Sequence, residues 1–319
     1  MKAMILTAGL GLRMRPLSSL RAKPALPVLG RPLIAWTLER LAQHGFTDVV
    51  VNTHHLPTSV LEAARGSRNL GLRVTFCHEP RILGTAGGPR AARRLLGPGP
   101  FLLVNGDVFF DFDLRALARR HAESGAAATL ALKPNPDPQV YGAVVTAPDG
   151  SIRSIAGLPS PARGRVSLFT GVHVVESALL GRLKGGFADS VRDLYAPTIA
   201  AGGRVVGVRV RGTWYDLGTP ALYLDAQMRL LGRNRRGIVH ETARLDPRAR
   251  VGHSVIGAGC VVAAGARVSR SVLWERVSVG AGARVEGSVL ASGARVPDGA
   301  RVDGRIGMPG RRGSRWPRL

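Results

Sequence analysis

The residues best suited to gripping phosphate crowd the start of the chain. An apolar run leads into Leu6-Thr7-Ala8-Gly9-Leu10-Gly11-Leu12-Arg13-Met14-Arg15-Pro16-Leu17, and Lys23-Pro24-Ala25-Leu26-Pro27-Val28 follows. Gly9 and Gly11 let the backbone come close to a ligand with its N–H groups towards an anion. Arg13 and Lys23 supply charge-assisted contacts to phosphate oxygens. The string lacks the Gly-Lys-Ser/Thr ending of a Walker loop and the clean glycine spacing of a dinucleotide fingerprint. Two aspartates are candidates to work beside it. Asp107 follows the apolar run 101–105, and Asp216 lies in Trp214-Tyr215-Asp216-Leu217-Gly218-Thr219-Pro220. The less favoured alternative for each is a cap on a helix or a turn. Glu79 reads either as a group that helps recognise a base or as an ion-pair partner of Arg81. His54 and His55 read as loop residues, since adjacent side chains on an extended segment diverge.

The elements that must position these residues alternate along the chain. Strands are expected at 3–7, 48–52, 73–78, 101–105 and 127–133. Helices are expected at 32–44, 58–64, 87–96 and 113–124. Such alternation indicates parallel crossover units, hence an α/β fold with a doubly wound, mostly parallel sheet over residues 1–231. Ligands of such sheets bind beyond the carboxyl ends of the strands, which is where Gly9 and Asp107 fall.

Residues 232–238 read as a linker, and the pattern then changes. Residues 239–306 divide into four blocks of 17 that begin at Val239, Ile256, Leu273 and Leu290, with an aliphatic residue at offsets 0, 6 and 12 of each. Three inward aliphatics per block, joined by short turns, describe a coil of three short strands in a triangular parallel β-solenoid. This repeat puts Arg250, Arg267, Arg284 and Arg301 in a ladder on one edge, best read as a solvated basic face. Residues 307–319 read as a basic, disordered tail.

The phosphate-gripping string resembles the signature of the sugar-1-phosphate nucleotidyltransferases, which runs Leu-Ala-Ala-Gly-x-Gly-x-Arg-x-x-Pro-Leu-Thr and then Lys-Pro and Pro-Val. Phe101-Leu102-Leu103-Val104-Asn105-Gly106-Asp107, Leu83-Gly84-Thr85-Ala86-Gly87-Gly88 and the Trp-x-Asp-x-Gly-Thr-Pro string around Asp216 fall where that family has its other motifs. The solenoid resembles the hexapeptide-repeat left-handed β-helix often appended to it. The resemblance implies a Rossmann-like nucleotidyltransferase that joins a nucleoside triphosphate to a sugar 1-phosphate. Leu6, Ala8, Gly9, Gly11, Glu79, Gly84 and Thr85 would then hold the nucleotide. Arg13, Lys23 and Asp107 would be catalytic, Asp107 and Asp216 would hold Mg²⁺, and Asn105, Gly142, Thr170 and Gly171 would line the sugar pocket. Mannose-1-phosphate guanylyltransferases and N-acetylmuramate-1-phosphate uridylyltransferases are both similar. The chain lacks the Glu-Lys-Pro string that meets the sugar phosphate in many relatives, and has Ile155-Ala156-Gly157-Leu158-Pro159 there. A non-catalytic regulatory subunit and a β-helix acyltransferase are the rival readings; the intact Arg13, Lys23, Asp107 and Asp216 oppose the first, and the uninterrupted repeat opposes the second.

Composition bounds the rest. The 319 residues carry a formal charge of +24, nearly all from arginine, because lysine occurs only at positions 2, 23, 133 and 184. That excess suits anionic ligands, but the few aromatics are not interleaved with it, so no base-stacking surface for nucleic acid is expected. No apolar run is long enough for a membrane span, and the run at 3–6 is too short for a secretory segment. Cys77 and Cys260 have no metal-binding spacing, which suits a reducing cytoplasm. A homo-oligomer is expected.

Overall fold

The short apolar runs become strands because each is flanked by a glycine-rich or polar turn and is long enough only to cross a sheet. The computed structural model describes residues 1–233, 236–310 and 313–319; positions 234 and 235 of the expected linker, and 311 and 312 of the basic tail, lie outside the described residues. The chain divides into two compact units, Met1–Leu10 with Ile34–Trp214 and Gly11–Leu33 with Tyr215–Leu319. The segment bearing Arg13 and Lys23 therefore groups with the C-terminal part rather than with the strands that flank it in sequence.

In the first unit, β1 (Lys2–Leu6), β2 (Asp48–Thr53), β3 (Arg73–His78) and β4 (Phe101–Asn105) are parallel and lie in the order β4-β1-β2-β3. Ala3, Met4, Ile5, Phe101, Leu102 and Val104 have no exposed surface, as a parallel sheet covered on both faces demands. The crossovers include α1 (Leu33–Gln43), α2 (Pro57–Ala63), α3 (Gly84–Ala91) and α4 (Arg93–Leu96). The helix expected over 87–96 thus begins at Gly84 and is interrupted at Ala92. From β1 the chain goes to β2 on one side and later reaches β4 on the other. This reversal opens a crevice at the carboxyl ends of β1 and β4.

Beyond β4 the sheet turns antiparallel. After α5 (Leu114–Ser124), whose cap Asp113 accepts the Arg115 and Ala116 N–H groups, come β5 (Ala128–Lys133), β6 (Val144–Thr146), β7 (Ile152–Ile155) and the long β8 (Arg165–Val175). Strand β8 runs antiparallel to β4, β5 and β6, because the connections here are too short for crossover helices, and β9 (Val205–Arg209) closes parallel to β5. Among the described residues no helix is long and apolar enough to cross a membrane.

In the second unit, α6 (Pro220–Leu231) precedes the parallel β-helix read from the repeat. Its three faces are ladders of five, four and four short strands. The shaft is filled by Ile256, Val262, Val268, Leu273, Val279, Val285, Leu290, Val296 and Val302, the residues at offsets 0, 6 and 12. The register also stacks Arg250, Arg267, Arg284 and Arg301 on one exposed edge, with Glu286 and Asp303 two residues on. A further rung, Ile306–Gly307, follows the fourth block. The tail corrects the expectation of disorder: Ile306 N–H donates to the Pro317 carbonyl at 2.8 Å, Met308 and Arg315 exchange backbone hydrogen bonds, and Trp316 packs on the shaft residues. An indole that can cover the open end of an aliphatic shaft outweighs the repulsion of a basic segment.

One core residue carries a pH dependence. His173, on β8, is 1% exposed, stacks on Phe169 at 4.9 Å, meets the edge of Tyr195, and has no hydrogen-bond partner among the described residues for either ring nitrogen. Burial pushes its pKa down from 6.5 to about 3. The unfolded chain therefore takes up this proton first. The stability tied to the neutral ring is complete above about pH 6.5 and is lost as pH falls towards about 3, at no more than about 1.4 kcal/mol per pH unit. His173→Phe should flatten the fall of melting temperature between pH 7.5 and 5; parallel curves for the two proteins would contradict this assignment.

Candidate active site

The sheet crevice of the first unit is built from strand ends that finish in polar residues. Leu6 and Asn105 are register partners at the ends of β1 and β4, and Gly106 N–H donates to the Leu6 carbonyl at 2.9 Å. This bond fixes the turn that delivers Asp107. On the other side of β1, Asn52 is the last residue but one of β2 and is 2% exposed. Its side-chain oxygen accepts Thr7 N–H at 2.8 Å, its carbonyl accepts the Thr7 hydroxyl, and its amide donates to Glu79 Oε1 at 2.7 Å. The start of the glycine loop at Thr7-Ala8-Gly9 is thereby pinned open rather than continued as strand.

Glu79 has a third role beside the two weighed from sequence. Its other carboxylate oxygen accepts Leu83 N–H at 3.0 Å, so the side chain braces the turn before α3, and it makes no ion pair with Arg81 among the described residues. The Leu83 turn carries Gly84 and Thr85. Gly84 has φ of +79°, and a Cβ there would stand 2.5 Å from the Ala188 carbonyl, so only glycine fits. Thr85 donates to Asp189 at 3.2 Å and accepts Ser190 N–H at 2.8 Å. His54 is held through Nδ1 by the Glu79 carbonyl at 2.7 Å.

Three of the four expected sugar-binding residues, Asn105, Thr170 and Gly171, meet at a bulge. Strand β8 slips register between Phe169 and His173, which throws Thr170 and Gly171 out of the ladder. A Cβ on Gly171 would come within 2.7 to 2.9 Å of Asn105 side-chain atoms, so Asn105 lies directly on this glycine. Thr170 is buried, its hydroxyl donating to the Ala131 carbonyl at 2.8 Å and its carbonyl accepting Trp214 Nε1 at 2.8 Å. Gly142 has φ of +64°, and its carbonyl accepts the Asn135 amide at 2.8 Å.

The second unit holds the other half of the signature. Gly11 has φ of +64°, and a Cβ there would meet Ser18 at 3.0 Å and the Lys23 side chain at 3.2 Å, so the arm of residues 11–29 folds tightly upon itself at this glycine. Ser18 Oγ donates to the Gly11 carbonyl at 2.8 Å and secures the fold-back. Arg13 and Asp216 converge at Gly218: a Cβ there would lie 2.9 and 3.0 Å from the Asp216 carboxylate oxygens and 3.2 Å from an Arg13 guanidinium nitrogen. A guanidinium and a carboxylate thus share one bare stretch of backbone. Sequence reasoning missed Asn52, although Val49-Val50-Val51-Asn52 repeats the apolar-run-plus-asparagine pattern of Leu102-Leu103-Val104-Asn105.

Comparison with known proteins gives the family. Residues 2–233 match the nucleotidyl transferase family, and residues 234–308 match the GMPPB C-terminal domain. The N-acetylmuramate alpha-1-phosphate uridylyltransferase of Neisseria meningitidis serogroup B is 38% identical over 233 residues, 71% of this chain and 97% of that protein. The UTP–glucose-1-phosphate uridylyltransferase of a Synechocystis species is 29% identical over 80% of this chain and 70% of that protein. The mannose-1-phosphate guanyltransferase of Aspergillus fumigatus is 29% identical over 79% of this chain and 73% of that protein. With its glycine loop, its strand-end aspartate and its β-helix in these positions, the chain belongs to the nucleotidyl transferase family.

Proposed function

We propose that this chain makes a nucleoside diphosphate sugar and pyrophosphate from a nucleoside triphosphate and a sugar 1-phosphate, with GTP and mannose 1-phosphate as the pair. The convergence of Arg13 and Asp216 on Gly218 carries the reading, since a cation and a carboxylate over bare backbone suit a metal-bound polyphosphate. The choice of GTP and mannose 1-phosphate rests on the match of the C-terminal part to the GMPPB C-terminal domain and on relatives alike across both parts of the chain. A second reading, UTP with N-acetylmuramate 1-phosphate, is favoured by the 38% identity to the Neisseria protein over the part that contains Asn105 and Gly171. A cytoplasmic location suits two cysteines that are both free thiols.

In this reading a phosphate oxygen of the sugar 1-phosphate attacks the α-phosphorus. One P–O bond forms as the bond to the β-phosphate breaks, and pyrophosphate leaves on the opposite side. The attacking oxygen is already ionised and needs no strong general base, so the protein's work is to hold two anions together and to neutralise the leaving group. Backbone at Leu6, Ala8, Gly9, Gly84 and Thr85 receives the nucleotide; Asn105, Gly142, Thr170 and Gly171 border the sugar. Arg13 grips the leaving pyrophosphate and Lys23 screens the α-phosphate. Asp107 and Asp216 would hold Mg²⁺, an ion that prefers such hard oxygen ligands and would supply charge neutralisation on the substrate phosphates.

Pyrophosphate release over a matrix of triphosphates and sugar 1-phosphates should be fastest for GTP with mannose 1-phosphate. A preference for UTP with N-acetylmuramate 1-phosphate selects the second reading, and no release from any pair rejects both. Arg13→Ala and Asp107→Asn should each lower kcat by about 10²–10³ without lowering the melting temperature; near-normal turnover in either removes that residue from the mechanism. Gly218→Ala should cost at least about tenfold in kcat by displacing Asp216 and Arg13 together, again with little change in melting temperature. Wild-type speed in that variant would show that the two groups do not act at this point.

A further inference from the structure

The arm that carries Arg13 and Lys23 is made of single 3-10 turns, Leu12–Met14, Leu17–Ser19 and Lys23–Ala25, followed by a two-residue hairpin pair. Such turns hold few bonds of their own. Outside supports of the arm run to the β-helix and to α6, among other contacts. Two residues before Lys23, Arg21 reaches Glu275 through a bidentate pair at 2.9 and 2.6 Å and Ser292 at 3.1 Å. Ser292 in turn donates to Glu275, from the equivalent position one coil further on. The Arg21 guanidinium also lies 5.3 Å over the Trp274 ring. After Lys23, the Pro27 carbonyl accepts the Tyr223 hydroxyl, and Leu29 N–H donates to Gln227 at 2.9 Å. Trp274 Nε1 donates to that same Tyr223 oxygen at 3.1 Å.

Both clamps therefore converge on one indole, which is 1% exposed. Burial pushes the Glu275 carboxyl up, but the hydrogen bonds from Arg21 and Ser292 outweigh it and hold the group below its usual range. The neighbours of Trp274 at 17-residue spacing are Gly257 and Ala291, so a bulky residue here does nothing that the repeat itself requires.

We infer that Trp274 and Glu275, on the third coil of the β-helix, are positioning residues for Arg13 and Lys23: they hold the arm in the one conformation able to receive the triphosphate. This rests on the nucleotidyltransferase reading. If the arm is released, only a fraction of molecules is ready for the nucleotide. The apparent affinity then falls by that fraction, while bound nucleotide still selects the working conformation.

The test uses the full chain. Glu275→Ala should raise KM for the triphosphate roughly tenfold, leave KM for the sugar 1-phosphate unchanged, and keep kcat within about twofold. Arg21→Ala should do the same, and the double variant should be no worse than either single, since both remove one interaction. Amide exchange of residues 11–29 should quicken in each variant while the coils keep their protection. A lowered melting temperature with an unchanged KM for the triphosphate would make the pair merely structural and overturn the inference, as would additive effects in the double variant. If the wild type releases no pyrophosphate with any pair of substrates, the functional reading has failed instead. The exchange rates then judge the clamp alone, and unchanged exchange on residues 11–29 overturns it.

Discussion

A segment of 3-10 turns has too few internal hydrogen bonds to keep two long cationic side chains in fixed places, so its geometry must be imposed by whatever it touches. Here the imposing contact is a guanidinium laid over a buried indole and gripped by a carboxylate on a stiff ladder. The ladder is stiff because every third of a coil repeats its backbone bonds in register with the next. The β-helix is thereby more than an appendage: the same units that fill its shaft hold the frame to which the arm is tied.

The crevice of the sheet obeys a related constraint. Strands β1, β2 and β4 have apolar, buried middles, yet β2 and β4 each carry an asparagine at or next to the carboxyl end. A buried amide is costly unless its groups are paired, and Asn52 answers this by holding Thr7 and Glu79 at once. The polar network is thus a consequence of stopping a buried strand where a ligand loop must begin. It makes the loop's starting point depend on residues from three separate strands.

Much of this was legible in the sequence, for local reasons. The glycine loop, the apolar run before Asp107 and the 17-residue period are each statements about neighbouring residues, and each led to the right element. What escaped reading was pairing between residues far apart. Arg21 and Glu275 are separated by 254 positions, and nothing in either neighbourhood names the other. A signal did exist: Trp274 stands between Gly257 and Ala291 at the same position of the adjoining coils. The bracing role of Glu79 escaped because its partners, Asn52 and Leu83 N–H, are brought to it only by the sheet. The tail was read as disordered from its charge, whereas Trp316 finds the open shaft. The bulge that turns Thr170 inward and sets Gly171 on Asn105 depends on an antiparallel strand that the alternating pattern did not suggest.

The fold-back of the tail has a consequence for assembly. A parallel solenoid ends in an unpaired rung, and an unpaired rung is a template on which another chain can continue the ladder. At the C-terminal end the backbone pairs Met308–Arg315 and Arg305–Arg318 and the Trp316 ring occupy that template beside the Ile306–Gly307 rung. Another chain continuing the ladder from that rung has first to displace these pairs, which makes the indole a terminator against fibre growth on this face.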